Sequence, residues 1–282
     1  MTYDSNPKSI KYHVKQYLTK HQDRLRGKKV VDLPAGNGIT CQLVEELGGT
    51  AYAFDLFPEY FQYDKITCQQ ADVMQGVPLA DAFADFVICQ EGIEHFTDQY
   101  KVFREFNRIL KKEGSLIVTT PNYSNLRAKL SYLLSESERF NSMMAPNELD
   151  SIWMSQRADQ SKIYFGHIFL IGIQKLRVLA KLCGFKISHI QFTRVKTTSL
   201  LLLPLFYPFI YASNWISYWK GMRKNHTFTE AIKKETYQEI RRLNTDPKIL
   251  VDGHLFVEFT KERELDEVQQ HLKNQHQGFG IT

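Results

Sequence analysis

The apolar residues of this chain change their spacing along its length. In residues 9–26 they recur every three or four positions, which predicts an amphipathic helix. Residues 29–33 form a short apolar run typical of a buried strand, and residues 40–47 return to helical spacing before two glycines end the pattern. The chain therefore begins with a helix, a strand, a glycine-containing turn and a second helix.

The alternation continues through the first half. Short apolar runs predict strands at residues 50–54, 66–70, 86–89 and 115–119, and residues 99–110 have the spacing of a helix. Strands that alternate with helices form parallel sheets covered on both faces. The first half therefore predicts a doubly wound α/β core.

The second half is less regular. Residues 121–165 show helical spacing only at 126–134 and 152–157, which predicts a helical insertion or lid. A helix is predicted at 173–182, closed by Cys183 and Gly184. Strands follow at 186–192 and 253–260, joined by a long connection, and the charged tail from Lys261 onward is predicted to fray. The predicted fold is α/β, with a doubly wound, mostly parallel, seven-stranded, Rossmann-like sheet, an antiparallel edge strand and helical insertions.

Composition narrows the class of protein. The chain has 282 residues, 43% of them hydrophobic, which is enough for a core, and its net charge of +5 is spread along the sequence. Nucleic acid is therefore not the expected partner. The four cysteines lack any C-x-x-C spacing, and the first residues lack the apolar segment of a signal peptide. A reduced, cytoplasmic protein is expected.

Candidate chemistry begins at the glycine turn. Asp32 ends the first predicted strand, and Gly36 and Gly38 follow in a loop that would let a ligand approach the backbone closely. A dinucleotide-binding loop would have a third glycine where Cys41 stands. Further carboxylates end the next two strands, at Asp55 and Asp72, where they can accept hydrogen bonds from ribose hydroxyls and an adenine amino group.

These motifs, with Gln90 and Glu91 after the fourth strand, resemble the ordered cofactor motifs of class I S-adenosylmethionine-dependent methyltransferases over residues 27–120. The resemblance implies S-adenosylmethionine as the cofactor. Its methionine part would lie in the loop, its ribose on Asp55, its adenine on Asp72 and Val73, and its amino-acid end beside Gln90. The implied cofactor-binding residues are Asp32, Pro34, Ala35, Gly36, Gly38, Asp55, Asp72, Val73 and Gln90. Pro34 departs from the family, which usually has glycine there, and it offers no N–H group.

A second cluster follows the fourth strand. Glu91, Glu94 and His95 would share one face of a helical turn, and oxygen ligands with an imidazole suit Mg2+, Mn2+ or Zn2+. His167 is the candidate fourth ligand. The cluster resembles the E-x-x-E-H motif with a downstream histidine in quinone-biosynthesis O-methyltransferases and in methyltransferases of small-RNA 3′ ends.

That resemblance implies a chelated metal that lowers the pKa of a substrate hydroxyl. Two alternatives remain open: a metal-free general base at His95 or His167, and a purely structural role for the cluster. The candidate catalytic residues are Glu94, His95 and His167, and the candidate metal ligands are Glu91, Glu94, His95 and His167.

Residues 197–219 carry no charge, and their length approaches that of a membrane span. Pro204 and Pro208 are expected to interrupt the stretch, which favours an interfacial or re-entrant element over a straight span. Three roles are weighed: a membrane-surface dock for a lipid-linked substrate, a homodimer interface, and a buried lid over the active site. The following cations would then meet anionic head groups at the inner membrane face; they are Arg223, Lys224, Lys233, Lys234, Arg241 and Arg242.

The predicted function is O-methylation of a small-molecule, lipid or glycan acceptor. The alternatives are a NAD-dependent or nucleotide-sugar oxidoreductase or epimerase, which the absent Tyr-x-x-x-Lys motif disfavours, and a non-catalytic cofactor-binding subunit. The predicted organisation comprises a helical cover (1–26), the cofactor-binding core (27–120), an insertion or lid (121–172), the end of the sheet with its apolar insertion (173–262), and a tail (263–282).

Overall fold

A computed structural model of the chain describes residues 5–137, 145–147, 152–154, 163–166 and 168–275. Its strands are β1 (Lys29–Asp32), β2 (Thr50–Asp55), β3 (Cys68–Gln70), β4 (Ala84–Gln90), β5 (Leu110–Pro121), β6 (Ile152–Met154), β7 (Ile163–Phe165), β8 (Phe185–Ile190) and β9 (His254–Lys261). Seven of them form one sheet in the order β3-β2-β1-β4-β5-β9-β8. The predicted mostly parallel, seven-stranded α/β sheet is confirmed.

Helices cover both faces of this sheet. They are α1 (Ile10–Lys20), α2 (Ile39–Glu46), α3 (Gln99–Ile109), α4 (Leu126–Ser135), α5 (Ile173–Leu182), α6 (Thr197–Arg223), α7 (Glu230–Thr245), α8 (Pro247–Val251) and α9 (Leu265–Gln275). Val14 of α1 and Val44 of α2 belong to one hydrophobic cluster, whereas Phe103 of α3 and Leu176 of α5 belong to the other. The two clusters are the layers of a doubly wound fold.

The antiparallel edge is built from β8 and β9. β9 pairs antiparallel with both β5 and β8, so the last strand of the sheet enters between two strands that precede it in the sequence. Gly184 makes the turn into β8 at φ 79°, and the Asn107 side chain donates hydrogen bonds to the carbonyls of Cys183 and Arg263. Because β9 runs in reverse, its first residue lies at the carboxyl edge of the parallel strands.

Two local predictions were wrong, and two helices were not predicted. The helical spacing at 152–157 belongs in part to β6, which pairs antiparallel with β7, because pairing between distant segments overrides local spacing. The predicted frayed tail contains α9, anchored by the buried Val268. Helices α7 and α8 were not predicted at all: the many charges of α7 hid its narrow apolar stripe, and α8 is only five residues long.

The uncharged stretch was also misjudged. Pro204 and Pro208 do not interrupt it, because α6 is one continuous helix of 27 residues. A proline inside a helix costs about 3 kcal/mol, and α6 offsets this cost by packing against α4, α7 and α8. The buried-lid role is also excluded for this conformation, because of all the residues of α6 only Ser199 is buried.

Candidate cofactor and acceptor site

The glycine loop lies at the carboxyl edge of the sheet, between β1 and α2. Gly36 and Gly38 adopt left-handed conformations, with φ of 51° and 83°. The amide of Leu33 donates to Ile88 of β4, and that of Ala35 donates to Phe54 of β2, each at 2.9 Å. The loop is therefore fixed to both neighbouring strands before any ligand binds.

Asp55 ends β2 beside this loop. Its carboxylate is 8% exposed and accepts hydrogen bonds from the amides of Gly36, at 2.8 Å, and Phe57, at 2.9 Å. A carboxylate has about four lone-pair positions, so the two that remain can accept from a ligand. Asp55 therefore keeps acceptor positions directly beside the glycine loop.

The other predicted cofactor residues have more varied surroundings. Asp32 is buried, and burial raises its pKa to about 7, although it accepts a hydrogen bond from the Cys41 thiol. Asp72 caps its own turn through the Met74 amide, and the Val73 side chain lies in the core. Gln90, which ends β4, accepts from the Thr40 hydroxyl at 3.4 Å.

Phe61 was missed by the sequence reasoning. Its ring lies so close to Gly38 that a Cβ atom added there would be 2.6 Å from the ring. The next residue, Gln62, donates its amide hydrogen to Asn37 of the loop. The segment after β2 therefore covers the loop. Its closely spaced aromatic residues are the feature of the sequence from which this cover could have been predicted.

The segment after β4, which carries Glu91 and Glu94, packs directly against the glycine loop. A Cβ atom added to Gly92 would lie 2.3 Å from Cδ of Pro34, so these two residues are packed against each other. Pro34, the departure from the family pattern, is thus the contact between the loop and the cluster. Any other side chain at position 92 would push them apart.

Glu91 lies next to this contact, in a left-handed conformation with φ of 49°. Its carboxylate accepts a hydrogen bond from the Thr119 hydroxyl at 3.1 Å. Burial raises the pKa of Glu91 even though the Thr119 bond opposes this rise. A non-glycine residue in such a conformation is held there by its surroundings, as is common at functional sites.

Glu94 is more deeply buried, at 0% exposure, in a short 3-10 helix, Ile93–His95. Its Oε2 accepts from the Thr120 hydroxyl at 2.9 Å, and its Oε1 has no hydrogen-bond partner. Burial, followed by the charge of Glu91, raises the pKa of Glu94. The two carboxylates therefore titrate as a pair at higher pH than ordinary glutamates.

His254, the first residue of β9, joins this pair and was not predicted. Its Nε2 lies 3.6 Å from Oε2 of Glu91. Burial and the nearby charges of Arg194, Lys196 and His13 lower its pKa to about 4. The imidazole is therefore neutral at physiological pH, and only the reversed direction of β9 brings it to this edge.

The predicted metal ligands are only partly brought together. Glu91 and Glu94 are neighbours, but Glu91 precedes the short helix and does not share a helical face with His95. Nδ1 of His95 lies 3.2 Å from the Gly166 carbonyl. Within the residues that the structure describes, no three His, Cys, Asp or Glu side chains are grouped to hold a metal ion, and His167 lies outside those residues.

Comparison with known proteins adds to this geometry. Residues 31–118 match the family model of a methyltransferase domain. A protein of Mycobacterium tuberculosis named a probable S-adenosylmethionine-dependent methyltransferase is 30% identical over 103 residues, which are 35% of this chain and 38% of that protein. A ubiquinone biosynthesis O-methyltransferase of Glaesserella parasuis is 23% identical over 176 residues, 54% of this chain and 74% of that one. The match thus spans well under half of the mycobacterial protein.

The fold is also shared with solved structures. A SAM-dependent methyltransferase from Archaeoglobus fulgidus superposes with a TM-score of 0.50 and 15% identity, covering 88% of this chain and 93% of that one. At this level of identity the likeness concerns the fold alone. The matched segment, 31–118, contains the glycine loop, Asp55, Asp72 and both glutamates.

Proposed function

We propose that residues 31–118, which match the family model of a methyltransferase domain, form a class I, S-adenosylmethionine-dependent methyltransferase domain, and that the protein methylates a hydroxyl oxygen of a small-molecule acceptor. The observation that carries this proposal is the pair of the partly exposed Glu91 and the buried Glu94, packed through Gly92 against the glycine loop. The relatives' names support methyl transfer, and the acidic pair supports oxygen as the acceptor atom.

The loop and the carboxylates behind it fit the cofactor. Gly36 and Gly38 leave the backbone open to close approach, and Asp55 retains acceptor capacity at the tip of β2. When bound, S-adenosylmethionine supplies a methyl group on a positively charged sulfur that leaves as a neutral thioether. Phe61, which packs over Gly38, lies where it would shield the ligand from water.

The acidic pair has the chemistry of a general base. A hydroxyl oxygen that gains a methyl group must lose its proton, and a base acts best when its pKa is near the working pH. Burial raises the pKa values of both glutamates toward that range. The proton of the acceptor hydroxyl would pass to this pair, and Thr119 and Thr120 hold the carboxylates in place.

Two measurements test the cofactor and the base separately. Calorimetry should show binding of S-adenosylhomocysteine and none of NAD; binding of NAD alone would contradict the proposal. Transfer of a radiolabelled methyl group from S-adenosylmethionine to fractionated aqueous and lipid extracts, which include glycan-linked acceptors, should identify the acceptor class.

Glu91→Gln and Glu94→Gln should keep binding S-adenosylhomocysteine and lose transfer. A non-catalytic subunit would instead show binding without turnover even in the wild type.

The chelated metal is tested with the same assay. Metal analysis of the purified protein and transfer with and without EDTA distinguish the two mechanisms. Unchanged transfer in EDTA supports the metal-free pair. Loss of transfer that Mg2+, Mn2+ or Zn2+ restores would instead support chelation by Glu91, Glu94, His95 and His167.

A further inference from the structure

Helix α6 exposes an uninterrupted apolar stripe. The stripe consists of Leu201, Leu205, Phe209, Ala212, Ile216 and Trp219, which recur every three or four positions on the outer face of the helix. Leu201 is 73% exposed and Phe209 is 70% exposed. At 1.5 Å per residue the stripe is roughly 27 Å long. Exposed apolar surface of this extent marks an interaction site.

The opposite face of α6 is fastened to the rest of the protein along its length. Near the start of α6, the Ser199 hydroxyl donates a hydrogen bond to the Asn125 side chain. In the middle, the Asn214 side chain accepts a hydrogen bond from the Asn244 side chain at 2.9 Å. Towards the end, Arg241 stacks over Trp215 at 4.0 Å. Because these contacts lie along one side of α6, the helix lies flat on the domain with its stripe outward.

Along the sequence, α6 and the residues that flank it carry charges of one sign only. No Asp or Glu occurs between Asp159 and Glu230, a segment that contains the whole helix. Its start is flanked by Arg194 and Lys196, and its last turns carry the exposed cations Lys220, Arg223 and Lys224. Cations at both ends of an apolar stripe complement a surface that is apolar inside and anionic at its border.

The cations at the start of α6 are also crowded together. Burial lowers the pKa of Lys196, and the neighbouring charges of Arg194 and Arg127 lower it further. The nearby Asp252 carboxylate already accepts hydrogen bonds from Thr193 and from the Arg194 amide. An anion arriving at this end would relieve the repulsion.

We propose that α6 is a membrane-docking helix that lies in the plane of an anionic lipid bilayer, with its apolar stripe in the acyl region and its terminal cations on the lipid phosphates. Among the described residues, α6 is the one helix long and apolar enough by length and composition to cross a membrane. Its inner face, however, carries the polar contacts to α7, and in lipid those groups would lose their partners. The in-plane orientation keeps them.

This docking would hold the candidate site near the membrane. The amide of Lys196, the residue before α6, donates to the Val251 carbonyl at 2.8 Å, and Val251 lies three residues before His254, where β9 begins. The carboxyl edge of the sheet is thus beside the start of α6. The docking itself does not depend on the proposed methyl transfer, and its test uses no activity.

Sedimentation with vesicles tests the proposal on the full chain. The wild type should sediment with phosphatidylcholine vesicles that contain about a third phosphatidylglycerol, and much less with phosphatidylcholine alone. Leu201→Glu with Phe209→Glu should abolish sedimentation. Val178→Glu with Leu272→Glu is the matched control, since these side chains are 42% and 40% exposed on α5 and α9. Circular dichroism and Tm verify that each variant is folded.

Further arms test the lipid charge and the orientation. Lys220→Gln with Arg223→Gln should weaken binding to the anionic vesicles roughly thirtyfold, and an unchanged affinity would overturn the commitment to anionic lipid. Protein that stays in the bilayer after an alkaline carbonate wash would overturn the in-plane orientation. A wild type that ignores vesicles, yet forms a dimer that the Leu201→Glu and Phe209→Glu variant loses, would assign the stripe to a second copy of the chain.

Discussion

Asp55 shows how a single side chain at the end of a strand holds two neighbouring segments together. It accepts hydrogen bonds from the amides of Gly36 and Phe57, so it connects the cofactor loop with the segment after β2. The sequence predicted its position from its place at the end of a strand. Its partners depend on the loop conformation, which no local pattern specifies.

Replacing Asp55 tests this role. Asp55→Asn should weaken S-adenosylhomocysteine binding roughly 10- to 100-fold, because a charge-assisted hydrogen bond contributes about 1.5–3 kcal/mol. Calorimetry measures the change. Asp64→Asn, an exposed aspartate on the following segment, is the control and should bind as the wild type does. Equal loss in both variants would remove the special role of Asp55.

Glu94 gives a prediction in pH. Its pKa is raised above the ordinary 4.5, so the folded state holds a proton that the unfolded state releases, and the free energy of unfolding falls as pH rises above 4.5. Glu94→Gln removes this penalty. The variant should therefore gain stability relative to the wild type, by about 1–2 kcal/mol between pH 5 and pH 8.

Denaturant unfolding at several pH values measures this trend. The Glu258→Gln variant should show the opposite change of stability with pH. Burial opposes ionisation of Glu258, but its hydrogen bonds with Arg24 and Tyr17 hold its pKa below the ordinary value. Its carboxylate stabilises the fold at neutral pH, and this contribution is lost as pH falls. A difference in the free energy of unfolding between Glu94→Gln and the wild type that does not change with pH would show that the Glu94 carboxyl titrates normally.

At the scale of elements, the β8–β9 edge depends on the close packing of Gly184 against the backbone of Arg263. Gly184 has φ of 79°, and a Cβ atom there would lie 2.3 Å from the backbone carbonyl of Arg263. The sequence predicted that Cys183 and Gly184 end a helix. It also predicted an antiparallel edge from the last two strands, but not that β9 would enter the sheet between β5 and β8.

The left-handed conformation of Gly184 and its close contact with the Arg263 backbone can be tested separately. Gly27 also has positive φ, 66°, but open space around its Cβ position. Gly27→Ala should cost about 1 kcal/mol for the left-handed conformation alone, whereas Gly184→Ala should cost more than about 3 kcal/mol because a backbone atom must move. Denaturant unfolding measures both; equal costs would mean that the edge yields easily.

At the scale of the whole molecule, the first helix is joined to the last strand. The Tyr17 hydroxyl donates to Glu258 of β9, and the Arg24 guanidinium forms an ion pair with the same carboxylate. Helix α1 also buries Val14 and Leu18 against the sheet. The helical spacing of residues 9–26 predicted this cover, but not its partner 241 residues away.

Tyr17→Phe tests this long-range contact. The variant leaves a buried carboxylate without one donor, so the free energy of unfolding should fall by about 1–3 kcal/mol. Tyr12→Phe, on the same helix, should change it by less than about 0.5 kcal/mol. Thermal or denaturant unfolding compares the two. Similar values would show that Arg24 alone satisfies Glu258.

The sequence by itself determined the alternating core, the glycine loop and the order of Asp32, Asp55 and Asp72, because these depend on local periodicity and on residues that end strands. Tertiary structure alone decided the rest. It brought His254 to Glu91 by reversing β9, paired β6 with β7, and kept α6 helical through two prolines by packing its inner face. These outcomes depend on contacts between distant segments, whose free energies outweigh the local preferences that a sequence pattern records.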